Sequence, residues 1–101
     1  IDRNGLDSHF YTEFYILLPE HEQSIPPEQT AITIQISVSP NLQEGDMIQI
    51  FMDGEPVSPP EPKIRFRIDE FEQGTHQIQA KIITDESKTR KFSPAINIHV
   101  L

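Results

Sequence analysis

Apolar side chains recur at every second position in several segments of this 101-residue chain. The clearest run spans residues 31–38, and its apolar members are Ile32, Ile34, Ile36 and Val38. A period of two places alternate side chains on opposite faces of a β-strand, so that one face packs on a core and the other meets solvent. An amphipathic helix would instead repeat its apolar residues near every 3.6 positions. The pattern therefore predicts an all-β chain.

The same alternation marks six predicted strands. Most of the nine prolines lie between these runs, where a residue without an amide proton interrupts no ladder. The connections leave no length for crossover helices, which favours an antiparallel immunoglobulin-like or fibronectin-III-like β-sandwich of six or seven strands. The six predicted strands are residues 14–18, 31–38, 48–52, 64–68, 75–84 and 96–100.

The length suits one domain, because domains are commonly about 100–150 residues long. Residues 1–12 follow no strand period and contain the turn signal Asn4-Gly5, so we interpret them as a linker or N-terminal extension before a sandwich at residues 13–101. The chain has no cysteine, which excludes disulfides, thiolate metal sites and cysteine nucleophiles. No apolar run approaches the roughly 18 residues of a membrane span, so we expect no membrane insertion.

The chain is strongly acidic, with sixteen acidic and eight basic side chains and a net charge of −8. Such a charge repels nucleic acid backbones and anionic membrane surfaces. Residues 1–62 hold most of the acids but only one base, Arg3, so the bases are concentrated in residues 63–101. We therefore expect no nucleic acid partner.

Four residues are expected to have structural roles at strand ends. Asp53-Gly54 follows a predicted strand and favours a tight turn, because glycine tolerates positive φ. His76 shares the phase of Ile78 and lies just after Gly74. We expect its ring to point inward and to cap the edge of the core by donating to a loop carbonyl.

Metal and cofactor sites have weak support. No two of the four histidines have metal-ligand spacing, and no cofactor is expected. Clusters of acids at strand ends leave calcium open, although turn formation and solubility explain them better. These clusters are Asp53/Glu55, Asp69/Glu70/Glu72 and Asp85/Glu86.

One candidate binding surface is basic. Lys63, Arg65 and Arg67 alternate with apolar residues that include Ile64, so the three cations should project from one outer sheet face. This stripe could bind an anionic glycan or an acidic partner. It could equally pair with Glu13 across the sheet or protect an edge strand from unwanted pairing.

The other candidate surface is aromatic. Tyr11, Tyr15 and Phe51 are the rings available for a carbohydrate platform, and the chain has no tryptophan. If Tyr15, Leu17 and Phe51 formed one outward patch, a protein contact would be favoured instead. A free edge strand could also recruit a peptide through its main chain.

Five segments carry a family resemblance: residues 41–46 (NLQEGD), 47–52 (MIQIFM), 53–57 (DGEPV), 74–80 (GTHQIQA) and 93–100 (SPAINIHV). They resemble the immunoglobulin-like C-terminal domain of proteobacterial envelope proteins of unknown function, which carry a signal peptide and a small N-terminal domain. The DG turn and the strand opening G-x-H also give a looser likeness to the C-terminal domain of penicillin-binding proteins of the 1C type. The resemblance spans about residues 14–100. It implies a periplasmic or envelope location and no known catalysis.

Enzymatic motifs are absent from the sequence. There is no Gly-x-Ser-x-Gly elbow, no Ser-x-x-Lys and no phosphate-cradling glycine loop. Together with the envelope location that the resemblance implies, this absence leads us to expect a non-catalytic accessory module of an envelope protein, which either contacts a protein partner or acts as a spacer. The alternative is a module that binds carbohydrate or cell-wall glycan.

Overall fold

The computed structural model describes residues 11–84 and 88–101, and within these ranges it contains strands but no helix. Consequently none of the described residues belongs to a helix that could cross a membrane. The strands are β1 (Glu13–Leu18), β2 (Gln23–Ile25), β3 (Ile32–Ser39), β4 (Met47–Met52), β5 (Glu55–Pro56), β6 (Arg65–Ile68), β7 (Gly74–Ile83), β8 (Thr89–Phe92) and β9 (Ile96–Val100).

The strands form two sheets, which confirms the predicted all-β architecture. The smaller sheet has the order β1-β3-β6. The larger sheet has six strands in the order β2-β9-β7-β4-β5, with β8 paired to β7. Strand β2 runs parallel to β9, whereas the other pairs are antiparallel, so the expectation of a wholly antiparallel sandwich is wrong for this pair.

The core is built from the inward positions of both sheets. Apolar residues at alternate positions of β3 face those of β4, β7 and β9, as a two-sheet packing requires. Burial of these branched side chains supplies the main driving force for folding. The core residues at most 1% exposed on these strands are Ile32, Ile34, Ile36, Ile48, Ile50, Ile78, Ala80, Ile82 and Ile98.

Three strands were not predicted from the sequence. Strand β2 has three residues and β5 has two, which is too short for a period of two to be recognised. Strand β8 has the sequence TRKF and a single apolar side chain, because it lies at an edge and covers little of the core. The number of strands among the described residues is therefore nine rather than six or seven.

One predicted core residue is exposed. Ile64 was placed in the core phase with Phe66, but it precedes β6 and is 40% exposed, whereas Phe66 is 3% exposed. Strand β6 is the edge of the smaller sheet, and a residue before an edge strand has few neighbours to cover it. Its carbonyl nevertheless accepts a hydrogen bond from the Ile36 N–H at 2.8 Å.

Tyr11 and Thr12, which precede β1, pack against the sandwich. Tyr11 is 1% exposed and belongs to the core cluster, so it is not a surface aromatic. The Thr12 N–H donates to the Ser39 carbonyl at 2.8 Å, which extends the pairing of β1 with β3. Residues 11 and 12 are thus part of the domain, while the rest of the predicted linker lies outside the described residues.

A buried polar cluster anchors this N-terminal segment. The Tyr11 hydroxyl donates to Asp46 Oδ2 at 2.5 Å and accepts from the Gln43 N–H at 2.9 Å. Arg90 Nε lies 3.0 Å from the same Asp46 oxygen, and Asp46 is only 3% exposed. Burial, reinforced by the hydrogen bond to Asp46, raises the pKa of Tyr11 to about 12. The cluster ties the start of the domain to the loop before β4 and to β8.

Candidate functional site

A shallow groove lies on the outer face of the larger sheet. Phe51 on β4 alternates with the buried residues Ile50 and Met52 and therefore points away from the core. Gln79 and Lys81 occupy the corresponding outward positions of β7. The groove has a volume of 220 Å³, and its lining residues are Phe51, Gly54, Gln77, Gln79, Lys81 and Phe92.

The centre of the groove is a lysine between two aromatic rings. Lys81 Nζ lies 4.5 Å from the centroid of the Phe51 ring and 5.5 Å from that of Phe92. Strand register explains this arrangement, because Lys81 is directly opposite Phe92 on β8 and diagonal to Phe51 on β4. An ammonium group at such distances is attracted by the negative face of each ring.

Lys81 has no anionic partner in the part of the chain that is described. The ion pairs there involve other basic residues, and no carboxylate pairs with Lys81. Lys63 provides a contrast, since its ammonium also lies over a ring, 5.1 Å from the Phe66 centroid, but pairs with Glu61 Oε1 at 3.1 Å. The Lys81 ammonium is therefore held in place by rings and keeps its charge available.

Two glutamines add hydrogen-bonding groups to the groove. The Gln79 amide nitrogen donates to the Ser93 carbonyl at 2.9 Å, which fixes the orientation of the amide. Gln77 is exposed and precedes Gln79 and Lys81 in the series of outward positions on β7. Gly54 lies at the Gln77 end of this series and has no side chain, and a Cβ at that position would meet nothing within 4 Å. The groove is therefore open at the turn between β4 and β5.

The Asp53-Gly54 turn lies at one end of the groove and is hydrogen-bonded to β7. Asp53 has φ 54° and Gly54 has φ 85°, so both central residues of the two-residue hairpin adopt left-handed conformations. The Asp53 carboxylate reaches back to β7, where Oδ1 accepts from the Gln77 N–H at 2.9 Å. The turn is thus tied to the strand that carries Gln77.

His76 joins this turn to the loop before β7. Its Nδ1 lies 2.6 Å from Asp53 Oδ2, and its Nε2 lies 2.6 Å from the Glu72 carbonyl oxygen. The loop carbonyl is the kind of partner that the sequence analysis expected for His76, whereas Asp53 was not foreseen. Because both partners are acceptors, both ring nitrogens donate only when the imidazole is protonated. The neighbouring Gly74 has φ 118°, which disfavours any other residue at the start of β7.

The His76–Asp53 contact shifts the pKa values of both groups. The hydrogen bond to Asp53 raises the pKa of His76, and burial opposes this rise. The hydrogen bond from His76, followed by that from the Gln77 N–H, lowers the pKa of the Asp53 carboxyl. At pH values between the pKa of Asp53 and that of His76, the carboxylate and the imidazolium are therefore both charged.

The aromatic residues singled out from the sequence lie on two different sheets. Tyr15 and Leu17 face outward from β1 of the smaller sheet and are 39% and 48% exposed. Phe51 belongs to the larger sheet, so the three do not form one patch. Phe51 is instead brought together with Phe92, which is 55% exposed and which the sequence analysis did not single out.

The basic stripe lies on the smaller sheet. Arg65 and Arg67 occupy exposed positions of β6, and Lys63 precedes this strand. Arg65 Nε donates to Gln35 Oε1 at 2.9 Å, and Arg67 has no ion pair with any residue that the structure describes. The suggested pairing with Glu13 does not form, because β3 separates β1 from β6.

The acidic clusters do not converge with other ligands. In residues 11–84 and 88–101, no three side chains of histidine, cysteine, aspartate or glutamate are placed to hold a metal ion. The predicted cluster Asp85/Glu86 lies outside the described residues.

Comparison with known proteins identifies the fold. No protein family profile and no curated protein matches the chain. The fibronectin(III)-like modules of Clostridium thermocellum CbhA are similar in structure, with a TM-score of 0.71 and 13% sequence identity over 87% of this chain and 94% of that chain. The Bacteroides ovatus mixed-linkage glucan utilization locus protein SGBP-B, in complex with a mixed-linkage heptasaccharide, gives a TM-score of 0.52 and 15% identity over 87% of this chain and 24% of that chain.

The first similarity shows a fibronectin(III)-like β-sandwich fold, which confirms the fold class predicted from the sequence. Identities of 13% and 15% establish shared architecture alone, because one β-sandwich fold hosts many functions.

Proposed function

We propose that this chain is a non-catalytic accessory module that binds a carbohydrate in the groove between Phe51 and Phe92. The observation that carries the proposal is the placement of the exposed Phe92 ring and the half-buried Phe51 ring beside the amides of Gln77 and Gln79 on one sheet face. The groove is lined by no carboxylate or histidine, so it offers binding groups rather than a general acid and base.

The chemistry of a sugar matches this lining. A pyranose ring has an apolar face of C–H bonds and a rim of hydroxyl groups. Aromatic side chains such as Phe51 and Phe92 provide large apolar surfaces for the ring face. Amide groups both donate and accept, so Gln77 and Gln79 suit hydroxyls that do the same. The Ser93 carbonyl holds the Gln79 amide in place, which reduces the entropy lost on binding.

The size of the groove favours a sugar over a folded partner. Its 220 Å³ is below the roughly 300–1,000 Å³ of a typical drug-sized pocket. A stable protein interface needs about 800 Å² on each partner, which extends far beyond these six residues. One or two sugar units of a longer chain would suffice to cover the two rings.

The context of similar folds supports the proposal. A domain-sized part of the Bacteroides ovatus protein, whose structure contains a heptasaccharide, has this architecture. The resemblance to envelope proteins is consistent with a chain that meets polysaccharides outside the cytoplasm. We include a periplasmic or envelope location in the proposal for this reason.

Affinity electrophoresis in gels containing soluble polysaccharides, together with sedimentation with peptidoglycan sacculi, tests the proposal. We expect at least one glycan to retard or sediment the wild-type domain and Phe92→Ala to weaken that binding about tenfold or more. Tyr15→Ala on the smaller sheet is the matched control, because it also removes an exposed ring. Equal binding by the two variants, or no binding to any polysaccharide, would overturn the proposal.

A second candidate is a protein contact through the outer face of the smaller sheet. On this face Tyr15 and Leu17 are exposed along β1, and Arg65 and Arg67 line β6 at the opposite edge. An acidic partner with an apolar segment would complement both features. Capture of one defined protein that is lost in a Lys63/Arg65/Arg67 triple-alanine variant but kept in Phe92→Ala would favour this candidate.

A further inference from the structure

We infer that the groove selects a saccharide bearing a carboxylate, such as a uronic acid unit, through the ammonium group of Lys81. The inference rests on the proposed function, since it assigns the class of sugar that the same groove takes. It is carried by the position of a single unpaired cation between two rings that would stack on the sugar.

The three donors of the Lys81 ammonium have no acceptor among the described residues. No hydrogen bond or ion pair satisfies them, and the groove has no carboxylate in its lining. A lysine head group carries three N–H donors and no acceptor, so these donors face solvent when the groove is empty. They are therefore free for a ligand oxygen.

The surroundings strengthen an anionic contact at this point. Phe51 and Phe92 lie beside the ammonium group, with their ring centroids 4.5 Å and 5.5 Å from Nζ. Apolar rings next to a charge lower the effective dielectric constant around it, which strengthens its contact with an anion. A sugar stacked on either ring would place a carboxylate at its edge toward Nζ, where the hydrogen bond is charge-assisted.

The charge of the whole chain limits the ligand to a weakly charged anion. The net charge is −8, and Lys81 is the one basic residue among those that line the groove. A polyphosphate or nucleic acid would meet one cation and a repulsive field. One carboxylate per sugar unit matches one lysine, and Gln77 and Gln79 remain for the hydroxyls. These amides favour a saccharide over an acidic peptide.

The test compares a sugar with and without its charge. Oligogalacturonate and its methyl ester have the same sugar units and differ in the carboxylate, and titrations followed by calorimetry and NMR give both dissociation constants. We expect the acid to bind about tenfold or more tightly than the ester at low salt, with the difference shrinking as ionic strength rises.

Variants connect this difference to Lys81. Lys81→Gln keeps most of the stem and should abolish the preference for the acid while leaving the ester affinity within about twofold. Lys63→Gln is the control, because Lys63 also lies over a ring but precedes β6, outside the groove, and is paired with Glu61. Circular dichroism establishes that each variant folds.

Each outcome separates the inference from the proposed function. Equal affinity for acid and ester, with both lost in Phe92→Ala, would overturn the charge selection and leave glycan binding intact. A preference for the acid that persists in Lys81→Gln would also overturn the assignment to this lysine. If neither sugar form binds, the inference is wrong, whereas the proposed function fails only if no polysaccharide binds in the electrophoresis and sedimentation assays. Binding of a glutamate-rich peptide without binding of either sugar would overturn the inference, because the groove would then select an acidic peptide rather than a saccharide.

Discussion

The hydroxyl of Tyr11 offers the sharpest test of how this sandwich is held together. Tyr11→Phe removes one oxygen that donates to Asp46 Oδ2 at 2.5 Å and accepts from the Gln43 N–H at 2.9 Å. The ring itself stays in the core, where the residue is 1% exposed. The variant therefore isolates the polar contribution from the apolar one.

The expected cost follows from the groups left without a partner. A hydrogen bond to a charged group contributes about 1.5–3 kcal/mol, and an unsatisfied buried donor costs about 1–3 kcal/mol. Arg90 continues to pair with Asp46 at 3.0 Å, and Gln43 is half-buried, so both values are reduced. We expect Tyr11→Phe to lower the free energy of unfolding by about 2–4 kcal/mol, a large part of the roughly 5–15 kcal/mol of a small domain.

Urea unfolding followed by circular dichroism measures this change. With a slope of about 1–2 kcal/mol/M, typical of small proteins, the midpoint should fall by about 1–4 M. Tyr15→Phe is the matched control, since its ring is 39% exposed and its hydroxyl has no hydrogen bond to a described residue. It should change the free energy by less than about 0.5 kcal/mol. Similar small effects of the two variants would refute the reasoning.

The same cluster predicts a pH dependence. The pKa of Tyr11 is about 12 in the folded protein and close to 10 in the unfolded chain. Its contribution is therefore fully present below about pH 10 and is lost as the pH rises through about 12. A spectrophotometric titration should detect a tyrosine that ionises near pH 12 in the folded protein. Ionisation near pH 10 before unfolding would contradict the buried hydrogen bond.

Three further predictions concern the turn and the core. The pKa of His76 is raised and that of Asp53 is lowered, so their contact should stabilise the fold at pH values between the two pKa values. His76→Gln should therefore lower the urea midpoint more at about pH 5.5 than at about pH 9. An equal effect at both pH values would contradict the pairing. In the same assay, Ile34→Ala should lower the free energy of unfolding by about 2–5 kcal/mol and Ile64→Ala by less than about 1 kcal/mol. The reason is that Ile34 is fully buried whereas Ile64 is 40% exposed. Similar losses for the two variants would contradict the exposed position of Ile64. Gly54→Ala should cost about 1 kcal/mol through backbone strain at φ 85° alone, because a Cβ there meets no atom within 4 Å, and a stabilised variant would contradict this conformation.

Much of the fold could be predicted because strand periodicity is a local property. The alternation in residues 31–38 led to β3, whose inward isoleucines are almost completely buried. The Asp53-Gly54 turn followed from glycine chemistry and occurs as a two-residue hairpin. The errors at Tyr11 and Ile64 arose where burial depended on which other strands cover a residue.

The candidate site was less predictable, since its members come from separate strands. Gln77, Gln79 and Lys81 are merely the polar phase of β7 when viewed in sequence, and Phe92 is the one apolar residue of the short strand β8. A signal was present in Phe51, which was noted as an exposed aromatic. Which residues lie beside Phe51 depends on the order of the strands in the sheet, and the two-residue period of a single strand does not predict that order.

The sequence by itself determined the alternation of inward and outward side chains within the long strands and the main turns, because these follow from the pleat of a strand and from the conformations open to glycine and proline. Only the tertiary structure decided that Phe92 lies opposite Lys81 and that Phe51 lies diagonal to it. It also separated Tyr15 from Phe51 by placing them on different sheets. Register and strand order result from many distant contacts formed together, so the groove exists only in the folded domain.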